Sequence, residues 1–78
     1  MARILVADDD PDILTILSMS LEAVGHEVHR ATNGVEAVSL TRSTDPDLVL
    51  MDLMMPEMDG YAATASLKED PATMAIPI

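Results

Sequence analysis

Three aspartates could do chemistry together if the fold brings them to one place. Asp8 and Asp9 follow the apolar run of residues 3–7, and Asp52 follows the apolar run of residues 48–51. Three carboxylates within a few ångströms repel one another unless a proton stays bound or a cation lies among them. A hard divalent ion such as Mg²⁺ prefers oxygen ligands of this kind. We therefore take these residues as the candidate metal-ligating group.

Helix capping is the alternative explanation for an aspartate at the end of a strand. Asp10 fits that role, because Pro11 follows it at the first helical position, where a missing N–H costs nothing. A lone aspartate would be explained in the same way. Two aspartates after one strand and a third after another strand favour a functional site instead.

The elements that must position these acids follow from the apolar pattern. Unbroken apolar runs predict two strands, over residues 3–7 and 48–51, that are covered on both faces. Residues 26–31 predict a weaker strand between them. Apolar positions at three- and four-residue steps predict a helix over residues 11–24, and residues 35–44 predict a second, shorter one. A loop with Pro56 and Gly60 follows the strand at residues 48–51, and a third helix follows that loop and ends at about residue 68 or 69. Residues 76–78 are expected to begin a fourth strand.

Alternation of strands and helices predicts the α/β fold class, with a parallel sheet in a three-layer α/β/α arrangement. In a doubly wound sheet the chain reverses direction after the second strand, so that the first and third strands become neighbours. The crevice at their carboxyl ends is where ligands bind in such folds. Asp9 and Asp52, far apart in the sequence, are therefore expected to meet there.

Composition excludes several classes of function. The 78 residues contain 4 Lys and Arg against 14 Asp and Glu, a net charge of −10, which argues against direct binding of nucleic acid. The chain has no cysteine, hence no disulfide and no thiolate metal site. No apolar run is long enough to span a bilayer and no signal peptide is visible, so we expect a soluble, cytoplasmic domain.

Two other phosphate or cation motifs fail on inspection. Asp8, Asp10 and Asp12 have the alternate spacing that begins an EF-hand calcium loop. The sixth position of that loop requires Gly and is Ile13, and the twelfth requires Glu and is Met19. A glycine-rich nucleotide loop is not found anywhere in the chain.

The two aspartate motifs together resemble the receiver domain of two-component response regulators. Residues 4–11 read Ile-Leu-Val-Ala-Asp-Asp-Asp-Pro, and residues 48–60 read Leu-Val-Leu-Met-Asp-Leu-Met-Met-Pro-Glu-Met-Asp-Gly. An Asn-Gly pair at Asn33 and Gly34 lies between them. The similarity runs over the whole of residues 1–78, and it implies a flavodoxin-like fold.

The resemblance implies a role for four residues. Asp52 is similar to the phospho-acceptor, which takes a phosphoryl group from a histidine kinase or phosphotransfer protein. Asp9, and Asp8 directly or through water, are similar to the acids that hold Mg²⁺ together with Asp52. The backbone carbonyl of Met54 would complete the protein ligands. The implied function is a phosphorelay module that controls downstream signalling, and not an enzyme.

The chain departs from the family pattern in its length. Receiver domains run to about 120 residues with five strands, so residues 1–78 are expected to be a partial receiver domain, about its N-terminal two-thirds. The edge of the third strand is then expected to be unpaired and open to pairing with a second copy.

The residues bear on two alternative functions. A truncated, receiver-like fragment could act as a self-associating interaction module without effective phosphoryl transfer, through the open edge of the sheet. A phosphatase with an aspartyl nucleophile is disfavoured, because such enzymes need a second acid two residues after the nucleophile. The chain has Met54 at that position.

Overall fold

A computed structural model describes all 78 residues, as three parallel strands and three helices. The elements in chain order are β1 (Arg3–Ala7), α1 (Pro11–Ala23), β2 (Glu27–Ala31), α2 (Gly34–Thr44), β3 (Leu48–Met51) and α3 (Gly60–Glu69). This order confirms the α/β fold class that the alternating pattern predicted. None of the three helices has the length and apolar character needed to cross a membrane.

The sheet has the strand order β2-β1-β3, so β1 is central and β3 is its neighbour, as predicted. Ala7, the last residue of β1, lies opposite Ala31 at the end of β2 and Met51 at the end of β3. The three strands therefore end in register. Side chains just beyond the strand ends therefore lie together at one end of the sheet, which we call the carboxyl edge. The opposite end, where the strands begin, is called the amino edge.

Alternate residues of β1 pack on opposite faces of the sheet, as the pleat requires. Leu5 and Ala7 belong to a buried cluster with Ala37 of α2, and Val6 belongs to another with Leu14 of α1. The central strand is thus covered on both faces, which explains its unbroken apolar run. Its rigidity fixes the position of the residues that follow it.

A side-chain cap fixes the start of each helix. The side chain of Asp10 accepts hydrogen bonds from the first turn of α1, including one from the Asp12 N–H at 2.9 Å, as predicted. Asn33 caps α2 and Asp59 caps α3 in the same manner. All three caps follow a strand or loop at the carboxyl edge of the sheet, so they also shape that edge.

Residues 71–75 form turns, and residues 76–78, predicted to begin a fourth strand, contact β3 through one backbone hydrogen bond but are not assigned to a strand. The Lys68 ammonium donates to the carbonyl oxygen of Ile76 at 2.7 Å, which holds this segment against α3. The Val49 N–H donates to the Pro77 carbonyl at 2.9 Å. The β3 edge is therefore partly paired within the chain, and self-association through it stays a prediction.

Candidate functional site

The carboxyl edge of the sheet brings Asp8, Asp9 and Asp52 together, and we call these three residues the acid cluster. Each offers one carboxylate oxygen, and these oxygens lie within 4.8 Å of one another. The Asp52 N–H donates to the Ala7 carbonyl at 2.9 Å, and the Asp8 N–H donates to the Ala31 carbonyl at 3.1 Å. Backbone bonds between neighbouring strands therefore fix both acids just past the strand ends.

Local hydrogen bonds orient two of the three carboxylates. One oxygen of Asp8 accepts from the Asp10 N–H at 2.9 Å, and one oxygen of Asp52 accepts from the Met54 N–H at 3.4 Å. Asp8 and Asp52 are half-buried and Asp9 is exposed. A carboxylate has two oxygens and about four lone-pair positions, so each of these side chains can still bind a further group.

A cleft of about 390 Å³ opens beside the acids. Its apolar wall comes from the ends of β1 and β3 and from the exposed side of α1. The residues that line it are Val6, Ala7, Asp8, Leu17, Leu50, Met51 and Asp52. A small charged group could enter this cleft from solvent and reach Asp52.

No basic side chain neutralises the acid cluster. The four ion pairs of the protein lie elsewhere and join Arg3 to Glu27, His29 to Glu27, Arg30 to Glu22, and Arg42 to Asp70. The one lysine of the chain, Lys68, donates to backbone carbonyls. Two unit charges separated by 4–5 Å repel by about 1 kcal/mol even in water. The charges of the cluster are therefore left without a partner inside the protein.

The geometry of the acid cluster fits a hard divalent ion. Mg²⁺ binds oxygens at about 2.0–2.1 Å in an octahedral arrangement, so opposite ligands are about 4.2 Å apart. The oxygens of the cluster, within 4.8 Å of one another, need only small movements to reach that spacing. Mg²⁺ usually keeps several waters, which suits a site whose third acid is exposed.

The segment after Asp52, residues 53–59, is here called the acceptor loop. It contains a tight turn in which the Met58 N–H donates to the Pro56 carbonyl at 2.8 Å, with Glu57 at a φ of 66°. That left-handed conformation is unusual for a residue with a side chain. The Met54 side chain in this loop is 77% exposed. Its carbonyl as a metal ligand stays a prediction.

Gly60 follows the acceptor loop directly, and its backbone lies very close to the backbone of Asp52. A Cβ atom on Gly60 would lie 2.1 Å from the carbonyl oxygen of Asp52, a distance that no real contact allows. The Gly60 N–H donates to the Leu53 carbonyl at 2.9 Å. The sequence placed Gly60 in a loop, but its contact with the Asp52 backbone was not predicted. An Asp-Gly pair directly before an apolar helix is the signal that points to it.

The chain is similar to known proteins over its full length. A model of the family described as the response regulator receiver domain matches residues 4–78. Protein PilH of Pseudomonas aeruginosa is 47% identical over all 78 residues, which span 64% of PilH. The chain thus spans less than two thirds of the length of this relative.

Solved structures share the fold. The N-terminal domain of a response regulator receiver protein from Methanoculleus marisnigri superposes with a TM-score of 0.95 at 42% identity, covering 99% of this chain and 63% of that one. The receiver domain of the sensor histidine kinase PA1611 from Pseudomonas aeruginosa gives a TM-score of 0.94 at 30% identity, with 99% and 63% covered. Its structure was solved with a magnesium ion coordinated in the active site cleft.

Proposed function

The chain belongs to the family of response regulator receiver domains, and from that premise we propose that Asp52 is its phospho-acceptor. The observation that supports this proposal is the position of Asp52, half-buried at the end of β3 and within 4.8 Å of two further acids. A carboxylate held beside a cleft, with one oxygen oriented by a backbone N–H, is suited to attack an incoming phosphoryl group.

In the proposed reaction a carboxylate oxygen of Asp52 attacks the phosphorus of a phosphohistidine on a histidine kinase or phosphotransfer protein. The bond between phosphorus and the imidazole nitrogen breaks, and its electron pair stays on the imidazole. The product is an aspartyl phosphate on this chain. The chain accepts the group rather than turning over a substrate, so we propose a signalling module and not an enzyme.

We propose that Asp8, Asp9 and Asp52, with the backbone carbonyl of Met54, hold Mg²⁺. When it is bound, the ion supplies positive charge that offsets the charge of the phosphoryl oxygens. The acids themselves supply the ligands and the orientation, since Asp8 and Asp52 are each fixed by a backbone hydrogen bond. The magnesium ion in the cleft of the PA1611 receiver domain supports this assignment.

Incubation with Mg²⁺ and acetyl phosphate, a small acyl phosphate, followed by intact-mass analysis tests the proposal. We expect the mass of one added phosphoryl group, lost in Asp52→Asn and lost when a chelator removes the metal. Asp47→Asn is the matched control, since Asp47 lies at the opposite edge of the sheet, where it accepts from the Arg3 N–H at 2.8 Å. An adduct that survives Asp52→Asn would refute the assignment.

A further inference from the structure

The Asn33–Gly34 pair at the start of α2 contacts the acceptor loop directly. Gly34 is the first residue of the helix, and a Cβ atom there would lie 1.9 Å from the carbonyl oxygen of Met58 and 2.6 Å from its carbonyl carbon. Real Cβ contacts are essentially never shorter than 3.0 Å. Only glycine allows the Met58 backbone to rest at this position.

Gly34 itself is held firmly, so the contact can fix the loop. The Asn33 side chain accepts from the Glu36 N–H at 2.8 Å, and the Glu36 carboxylate accepts from the Thr32 N–H at 2.7 Å. These bonds fasten both sides of the turn that leads into α2. Gly34 is also buried. The loop therefore rests on a rigid surface and not on a mobile one.

The contact bears on the site because the same short loop begins at Asp52. Only five residues separate Asp52 from Met58, and the loop is closed at its other end by the contact of Gly60 with the Asp52 backbone. A turn centred on Glu57 leaves the loop little freedom to absorb a displacement. Movement of Met58 is thus transmitted toward Asp52 and Met54.

We propose that Gly34 is a positioning residue for the acceptor loop: the missing side chain at the start of α2 sets the position of the Met58 carbonyl and, through the loop, of the metal-binding backbone at Met54. This inference rests on the proposed function for its metal readout. An alanine at position 34 must move the Met58 carbonyl by about 1.1 Å (3.0 less 1.9 Å). Metal and phosphoryl sites tolerate displacements of only about 0.5 Å.

The test compares Gly34→Ala with Gly25→Ala, a matched control. Gly25 has a φ of 92°, so alanine strains the backbone there too, but its Cβ would meet only the Met1 side chain at the opposite edge of the sheet. We expect Gly34→Ala to change the backbone amide shifts of residues 53–59 without metal and to weaken Mg²⁺ binding by about tenfold or more. Gly25→Ala should leave both unchanged.

Unchanged loop amides, or Mg²⁺ binding equal to that of the unaltered protein, would overturn the proposal. If the unaltered protein does not bind Mg²⁺, the proposed function fails, while the metal-free amide shifts still decide whether Gly34 positions the loop.

A second variant reads the same contact from the other side and does not crowd the interior. Glu57→Gly relaxes the left-handed residue of the loop, whose side chain is exposed, and should preserve the fold. If the loop rests on Gly34, this change alters the amide and Cα-proton shifts of Gly34. Identical Gly34 signals in Glu57→Gly would overturn the proposal even if Gly34→Ala does not fold.

Discussion

The acidic residues at the two edges of the sheet differ in whether a basic side chain pairs with them. At the amino edge Arg3 of β1 lies between two acids: its Nε donates to Glu27 at 2.5 Å, and its backbone N–H donates to Asp47 at 2.8 Å. At the carboxyl edge the acid cluster has no such cation. A basic side chain therefore pairs with an acid at the amino edge, whereas no basic side chain pairs with any acid of the cluster at the carboxyl edge.

The larger cleft of the protein is not the one beside the acid cluster. The cleft at the amino edge, about 600 Å³, is larger than the one beside the acid cluster, about 390 Å³. Arg3, Glu27 and Asp47 all contribute to the larger cleft, and all three have partners there. A cluster of three acids without a basic partner, and not cleft volume, therefore distinguishes the carboxyl edge.

The largest effect that the comparison predicts is stabilisation by Mg²⁺. An ion that binds only the folded protein, at a concentration of about 100 times its Kd, raises the free energy of unfolding by about 2.7 kcal/mol. Urea unfolding with MgCl₂, against NaCl at equal ionic strength, measures this effect. The increase should disappear in Asp52→Asn. An equal increase in both salts would mean general screening and no ion site.

The next effect is a loss of affinity confined to one edge. Asp9→Asn removes a charged ligand from the acid cluster and should weaken Mg²⁺ binding, measured by calorimetry, by about tenfold or more. Asp45→Asn is the matched control, because Asp45 has a φ of 49° that Asn tolerates and lies near the amino edge. Equal losses in the two variants would contradict the comparison.

Without metal the two edges should respond to charge removal with opposite signs. Asp9→Asn relieves repulsion within the acid cluster and should raise the free energy of unfolding by about 0.5–1 kcal/mol at low salt. Arg3→Ala removes the cation paired with Glu27 and should lower the free energy of unfolding. Urea unfolding in the presence of a chelator measures both changes. A destabilised Asp9→Asn protein would show that the cluster is not under strain.

The sequence predicts contacts that depend on strand pairing, but not contacts that depend on how separate segments pack. The apolar runs that end at Ala7 and Met51 located two strands, and the alternation with helices made those strands neighbours. The position of Asp52 beside Asp9 followed from that topology alone. Strand ends in a parallel sheet are predictable because pairing of the backbones fixes them.

Contacts between segments that are distant in the sequence could not be predicted from the apolar pattern. The approach of Met58 to Gly34 depends on how α2 and α3 pack, which the apolar pattern of the sequence does not specify. The apolar residues 76–78 predict the start of a fourth strand, and the structure shows one backbone bond from β3 to this segment, at Pro77. Lys68 donates to the carbonyls of Met74 and Ile76, and no local propensity encodes such bonds.

The smallest effect concerns pH and the amino edge. The hydrogen bond from His29, and then that from Arg3, hold the pKa of Glu27 below its usual value of 4.5. The folded state therefore binds this proton less readily than the unfolded state, and the stabilisation is present above about pH 4.5 and lost as the pH falls below it. In Glu27→Gln the free energy of unfolding should fall less steeply between about pH 5 and pH 3, roughly the interval in which such a group titrates. Urea unfolding at several pH values measures this change.

Glu57→Gln is the control for that experiment, because Glu57 lies in the acceptor loop and forms no ion pair. It should leave the pH profile as it is in the unaltered protein. The same profile in all three proteins would mean that the Glu27 contacts do not persist in solution.

The most direct test of the central claim is paramagnetic broadening by Mn²⁺, which takes oxygen ligands as Mg²⁺ does. Titration of the ¹⁵N-labelled protein with Mn²⁺ should broaden the amide signals of Asp8, Asp9 and Asp52 first and leave those of Arg3 and Glu27 sharp. Excess Mg²⁺ should displace Mn²⁺ and restore the signals of Asp8, Asp9 and Asp52. Uniform broadening, or broadening that begins at the amino edge, would contradict the account.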